Sequence, residues 1–201
     1  MIKKYDIVIS RYKENLDWIE NFDDKIYNVK VYNKGGDDIK FKFIKLNNIG
    51  REAHTWVHYI INNYHDLPEF VIFLQGDPVD HDKDVFDTIK NHNNQDYIAL
   101  SDHMVPETIN SWYENRVENY GNVLERYPKM KRNSLIASSN LILKEETPNK
   151  IVFPAGAQYI INKKFIFDRS LNFYKNILNI FEIDFVLPWH LERLWPTIWK
   201  L

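Results

Sequence analysis

The sequence predicts an α/β fold, with a central, mostly parallel or mixed sheet flanked by helices. Three observations predict it. Short β-branched and aromatic runs alternate with stretches of helical apolar spacing along the whole chain, as in folds that interleave strands and helices. Phe70–Leu74 (FVIFL) is apolar at every position, which is how a strand covered on both faces reads. No Gly/Ser linker, internal repeat or low-complexity segment divides the 201 residues, so one domain is expected over 1–201.

The elements follow in order. Tyr5–Ser10 is a short apolar run and a buried-strand candidate. Leu16–Asn21 is a short helix candidate. Tyr27–Asn33 alternates as a second strand and ends at the turn signal Lys34-Gly35-Gly36-Asp37. Lys40–Leu46 alternates again. From Arg51 to Tyr64, Ala53, Val57, Ile60, Ile61 and Tyr64 recur at helical spacing, with Arg51, Thr55, His58 and Asn62 on the opposite, polar face. Phe70–Leu74 should be an interior strand with this helix packed on one face of the sheet. Asp84–Asn91 reads as a short helix, Tyr97–Leu100 as a strand and Pro106–Tyr127 as a longer, mostly polar helical region. Asn133–Leu143 is ambiguous. Lys150–Phe153 and Gln158–Ile161 are strands separated by the bend Pro154-Ala155-Gly156. Arg169–Phe181 and Pro188–Trp199 are amphipathic helices, with Pro188 at a favourable first position.

Composition removes several classes of function. Apolar residues make up 44% and aromatic ones 15%, which excludes a disordered tail. There is no cysteine, so disulfide scaffolds, thiolate metal sites, Cys nucleophiles and iron–sulfur centres are out. A net charge of −2 supplies no basic field for a polyanion, so no nucleic-acid partner is expected. The N-terminus has no apolar h-region and the longest apolar run is about five residues. A chain with no signal peptide and no membrane span is therefore expected, in the cytoplasm. P-loop, dinucleotide-fingerprint, nucleophile-elbow and zincin motifs are absent.

Four segments carry candidate chemistry. Gln75-Gly76-Asp77-Pro78-Val79-Asp80-His81 follows the buried strand, where α/β sheets bind ligands. A carboxylate there can hold a divalent cation against a diphosphate, Gly76 lets backbone approach a ligand, and Pro78 keeps Asp77 extended. The competing reading is a solvated turn. Gly50 and Arg51 open a helix and so combine free backbone N–H groups with a cation, an anion site or simply an ordinary helix start. His54 and His58 have a metal-ligand spacing but no nearby carboxylate, and two surface histidines are the expected reading. Pro188–Pro196 places His190 and Glu192 among Trp189 and Trp195, so that Glu192 is either a partly desolvated base or an ion-pair partner of Arg51 or Arg11. Phe153–Gln158 puts small residues after a strand, as a ligand approach or a tight bend.

These segments, in this order, resemble a family of uncharacterised domains found in fungi and large DNA viruses. The matching blocks are Ile9–Trp18, Tyr32–Gly35, Asn48–Thr55, Phe73–Pro78, Gly156–Gln158 and Leu191–Trp195. That family is similar to the small viral glycosyltransferase domains of GT-A fold, which implies transfer of a sugar from a nucleotide-sugar donor, such as a UDP-sugar, to a carbohydrate acceptor. For a viral chain the compartment would be the host cytoplasm. In the GT-A fold an Asp-x-Asp motif after a central strand binds Mn²⁺, or Mg²⁺, and the donor diphosphate. Here that place holds Gln75-Gly76-Asp77, so Asp77 alone carries over as a ligand. The resemblance further implies Arg11, Asn33 and Lys34 on the nucleotide side and His190 completing the metal shell; if transfer inverts, a carboxylate, Glu192 or Asp80, is expected to take the acceptor proton. Two alternatives stay open. One is a nucleotide- or glycan-binding module whose metal site has decayed at Gln75. The other is a metal-dependent hydrolase built on Asp77, Asp80, His81 and His103.

Overall fold

The chain runs β1 (Tyr5–Arg11), a 3-10 turn (Asp17–Asn21), β2 (Tyr27–Asn33), β3 (Phe43–Lys45), α1 (Arg51–Asn63), β4 (Phe70–Gln75), a second 3-10 turn (Pro78–Asp80) and α2 (Val85–Lys90). It continues through β5 (Tyr97–Ala99), β6 (Met104–Thr108), α3 (Leu135–Leu143), β7 (Lys150–Pro154), β8 (Tyr159–Asn162), α4 (Lys163–Phe167), α5 (Leu171–Ile180) and α6 (Leu187–Ile198). This computed structural model describes residues 3–109, 134–145 and 148–201.

The sheet has the order β3-β2-β1-β4-β8-β5. The first four strands are parallel, and β8 runs antiparallel to both β4 and β5. The chain winds outward from β1 to β2 and β3, then returns through α1 to β4 on the other side of β1. The strand order therefore reverses between β1 and β4, which opens a crevice at their carboxyl ends. β6 and β7 form a separate antiparallel ribbon, and α6 packs on β7.

The two-residue period of the strands builds one core on each face. Tyr5, Ile7 and Ile9 of β1, with Phe70, Ile72 and Leu74 of β4 and Ile160 of β8, meet Leu16, Ile19, Phe22, Val85 and Ile89. Their neighbours Val8, Val71, Phe73, Tyr159 and Ile161 meet α1, α5 and α6. β4 is thus an interior strand covered on both sides, as FVIFL predicts. On the α1 face β1 also presents Asp6 and Ser10. Tyr59 Oη donates to Asp6 Oδ2 at 2.7 Å, and the Ser10 and Thr55 hydroxyls bond at 2.9 Å. Two polar pairs one helical turn apart therefore fix α1 along β1.

Several expectations need correcting. Thr55 is fully buried, so the polar face expected of α1 is broken by the bond to Ser10. The short helix expected over Leu16–Asn21 is there as a 3-10 helix, Asp17–Asn21, but only Phe43–Lys45 of Lys40–Leu46 is strand. Residues 106–108 are strand and not helix. Pro106-Glu107 looks like a helix start, but pairing with β7 wins, and in a two-stranded ribbon a proline at an edge is tolerated. The rest of Pro106–Tyr127, beyond residue 109, lies outside the described residues. Asn133–Leu143 resolves into α3, capped by Ser134 Oγ accepting from Ala137 N–H at 3.2 Å. The helix α4 carries no periodic signal over its 5 residues and was not expected. Among the described residues, no helix is long and apolar enough to cross a membrane.

Candidate functional site

A cleft of about 250 Å³ lies at the carboxyl ends of β1, β2 and β4, beside the start of α1. Topology creates it: the parallel strands end together, and β8, running the other way, brings residues 156–158 up to the same edge.

β2 ends in Asn33, and Lys34 follows. Lys34 is 7% exposed, and its Nζ donates to the carbonyls of Ile49 (2.8 Å) and Arg51. Those carbonyls face it because Gly50 and Arg51 both adopt positive φ, 62° and 45°. Gly50 tolerates this; a Cβ there would also lie 2.6 Å from atoms of His54 and Phe181. Arg51 holds the strained conformation without that freedom, a feature that clusters at functional sites. Burial pushes Lys34 down to about 7, with Glu52 pulling the other way. The Arg51 guanidinium is half exposed and stacks on Trp189, 5.3 Å from the ring centroid. Glu52, buried in the first turn of α1, lines the same cleft. Burial pushes its carboxyl pKa up, Arg51 pulls it back, and Glu192 pushes it up again.

Arg11 lines this cleft, and Asn33 is bonded to it. Arg11 is 5% exposed and forms a bidentate pair with Asp37 (2.8 and 2.9 Å). It also donates to Asn33 Oδ1 and to the carbonyls of Tyr12 and Glu14. Asn33 in turn accepts from Gly35 N–H and donates to the Asp37 carbonyl. This network fixes the two loops that wall the cleft. The guanidinium holds the Asp37 carboxyl down to about 2.

On the β4 side, Gln75 is committed to the scaffold. Its backbone N–H donates to Gln158 Oε1 (2.9 Å), and its side-chain amide donates to the Gly156 carbonyl (2.7 Å). A carboxylate cannot make the second bond, which accounts for an amide at this position. Glu192 Oε1 accepts from the Gly156 N–H at 2.8 Å. Gly156 is therefore gripped from both sides, at φ 86°, with the His81 ring so close that a Cβ would lie 2.4 Å from it. Glu192 Oε2 takes Arg193, at 3.3 Å, so its ion-pair partner is neither Arg51 nor Arg11. Arg193 is itself held bidentately by Glu107 (2.8 and 3.0 Å).

The metal candidates are placed apart in environment. Asp77 and Asp80 are exposed on the loop after β4. The space beside Gly76 is taken by Glu14, and the Gly76 carbonyl accepts from Trp18 Nε1 at 3.1 Å. His190 is fully buried, bonds Ser138 Oγ at 2.7 Å, and is pushed down to about 3 by burial and by Arg193. Two residues apart on a helix, His190 and Glu192 point some 200° from each other, so the bond of Glu192 to Gly156 turns His190 inward. His103 is exposed and His81 half-buried. No group of three His, Asp or Glu side chains able to share a cation occurs among the described residues.

The sequence reading missed Glu14, Glu52, Asn48 and Ser10 as cleft residues. Glu14 and Glu52 lie inside the segments singled out, but a first-turn glutamate and a loop glutamate look ordinary until their burial is known. No curated protein and no solved structure matches the chain. The family model described as "Protein of unknown function (DUF3431)" matches residues 7–201, and the chain belongs to that family.

Proposed function

We propose that the chain is a GT-A-like glycosyltransferase that moves a sugar from a nucleotide-sugar donor to a carbohydrate acceptor. The observation that carries this reading is the cleft itself. It sits where the order β3-β2-β1-β4 reverses, and it joins a helix start, Lys34 and Arg51 to buried and half-buried carboxylates. Such crevices hold nucleotides in doubly wound sheets. Arg51 and the first backbone N–H groups of α1 are suited to a diphosphate. Lys34 fixes the turn that presents them. Positive groups aimed at the leaving diphosphate stabilise the charge that grows on it as the glycosidic bond breaks. In this reading Asp77 would serve the donor diphosphate through a cation, and Gly156, with Glu192 bonded to it, would border the acceptor.

Mn²⁺ or Mg²⁺ would find one exposed protein carboxylate at Asp77 and would need its other ligands from the diphosphate and water, because His190 is directed into the core. The commitment of Gln75 to Gly156 also favours a second reading, a module that binds nucleotide sugars without turnover.

Thermal unfolding with UDP-sugars, with and without Mn²⁺, tests the binding. A ligand at about 100 times its Kd stabilises by about 2.7 kcal/mol, which raises Tm by roughly 5–11 °C for a chain of this size. Asp77→Asn should remove the Mn²⁺-dependent part and keep the metal-free part. No shift with any nucleotide sugar refutes both readings, and a shift without sugar transfer leaves the module.

A further inference from the structure

We propose that Glu52 is the general base of this site, the group that takes the proton from the acceptor hydroxyl. The inference rests on the glycosyl-transfer reading and assigns a residue that neither the helix pattern nor the motif comparison singled out.

A first-turn glutamate ordinarily stays at the surface. The helix dipole favours it there, and solvent satisfies it. The Glu52 side chain is instead 8% exposed and turned into the cleft. Its ion pair is with Nε of Arg51 at 3.4 Å, a neighbour that is 52% exposed. Lys34 adds charge nearby, but its Nζ donates to two carbonyls.

Asp6 and Asp184, buried carboxylates away from the cleft, are satisfied by the fold. Asp6 accepts from Tyr59, Asn28 and Lys30. Asp184 accepts from Val186 N–H and Ser138. Asp82 has one donor, the Asp84 N–H, and is also pushed up by burial, but it does not line the cleft. Glu192, the other carboxylate at this edge, spends one oxygen on Gly156 and the other on Arg193. Glu52 has only its own backbone N–H and the half-exposed Arg51 guanidinium, fewer donors than Asp6, and it lines the cleft. A carboxyl desolvated with so few donors prefers its neutral form, which makes it a better proton acceptor near neutral pH than a solvated one. The groups facing it are Arg51 on α1, Lys34 after β2, Arg11 and Glu14 after β1, and Glu192 on α6.

The step balances within the site. The acceptor O–H gives its proton to a Glu52 carboxylate oxygen as the acceptor oxygen bonds the anomeric carbon of the donor. The bond from that carbon to the diphosphate oxygen breaks, and the diphosphate keeps the electron pair, with Arg51 beside it.

Glu52→Gln in the full chain is the test, read in three ways: UDP-sugar affinity by calorimetry, transfer rate against pH, and the wild-type-minus-variant carboxyl signal in ¹³C-Glu NMR. Affinity should hold within about threefold, kcat should fall roughly 10²–10⁴-fold, and the fall in rate toward acid should disappear. The difference signal should titrate above the ordinary glutamate value of about 4.3. If Glu52→Gln does not fold, Glu52→Asp, which withdraws the carboxylate by one methylene, should fold and lose activity while keeping the acid limb. A transferring wild type whose rate is unchanged in Glu52→Gln, or a carboxyl titrating at or below 4.3, overturns the assignment and leaves the transferase standing. A wild type that binds nucleotide sugar and transfers nothing overturns the transferase reading, and the base with it.

Discussion

His54 makes the protein acid-sensitive by a calculable amount. Its side chain lies in α1 against Phe181, with ring centroids 5.4 Å apart, and the residue is 7% exposed. Its Nδ1 has no hydrogen-bond partner among the described residues. Burial, with the charge of Lys34 and the neighbouring His58, pushes it down to about 3. An unfolded histidine titrates near 6.5. The folded pKa lies below the unfolded one, so between them the unfolded chain binds a proton that the folded chain refuses. The stabilisation is complete above about pH 6.5 and is lost as pH falls toward 3. Between pH 7 and pH 5, protonation of the unfolded histidine alone removes about 2 kcal/mol. For a chain of this length that lowers Tm by roughly 4–8 °C. Urea unfolding of wild type and His54→Asn at both pH values reads this directly. The variant should be less stable at pH 7, but its loss on going to pH 5 should be smaller by about 2 kcal/mol. The raised Glu52 carboxyl acts in the opposite direction and cancels in the difference, because both proteins retain it. Equal pH slopes in the two proteins would refute a buried neutral His54.

Gly156→Ala should destabilise by about 1–3 kcal/mol in the same assay, since it places a Cβ at φ 86° and 2.4 Å from His81; a neutral effect would mean that the turn relaxes freely. Arg11→Lys should cost about 2–3 kcal/mol, because an ammonium cannot keep both the bidentate Asp37 pair and the bonds to Asn33, Tyr12 and Glu14. Its effect on UDP binding should follow this loss of stability and disappear at lower temperature, unlike that of a direct contact.

The layers of this protein are legible in its amino-acid pattern. FVIFL has no polar position, so β4 had to be interior, and Tyr27–Asn33 alternates over the whole length that becomes β2. Apolar periodicity is a local property that survives in any context where the faces are buried. It also placed Gln75, Asp77, Arg51 and Lys34 near element ends, because turn residues and strand runs are adjacent in the chain. Which of these share a space depends on long-range packing. The order of β1 and β4, and the reversal of β8, set the cleft and brought Gly156 between Gln75 and Glu192, 81 and 36 positions away in sequence. The same packing turned His190 inward onto Ser138, gave Arg11 to Asp37, and buried Glu52, although a first-turn glutamate looks solvated in sequence. Pairing with β7 made a strand of residues that begin like a helix at Pro106. Hydrogen-bond partners and desolvation depend on residues distant in the chain, and one sequence carries no local mark of them.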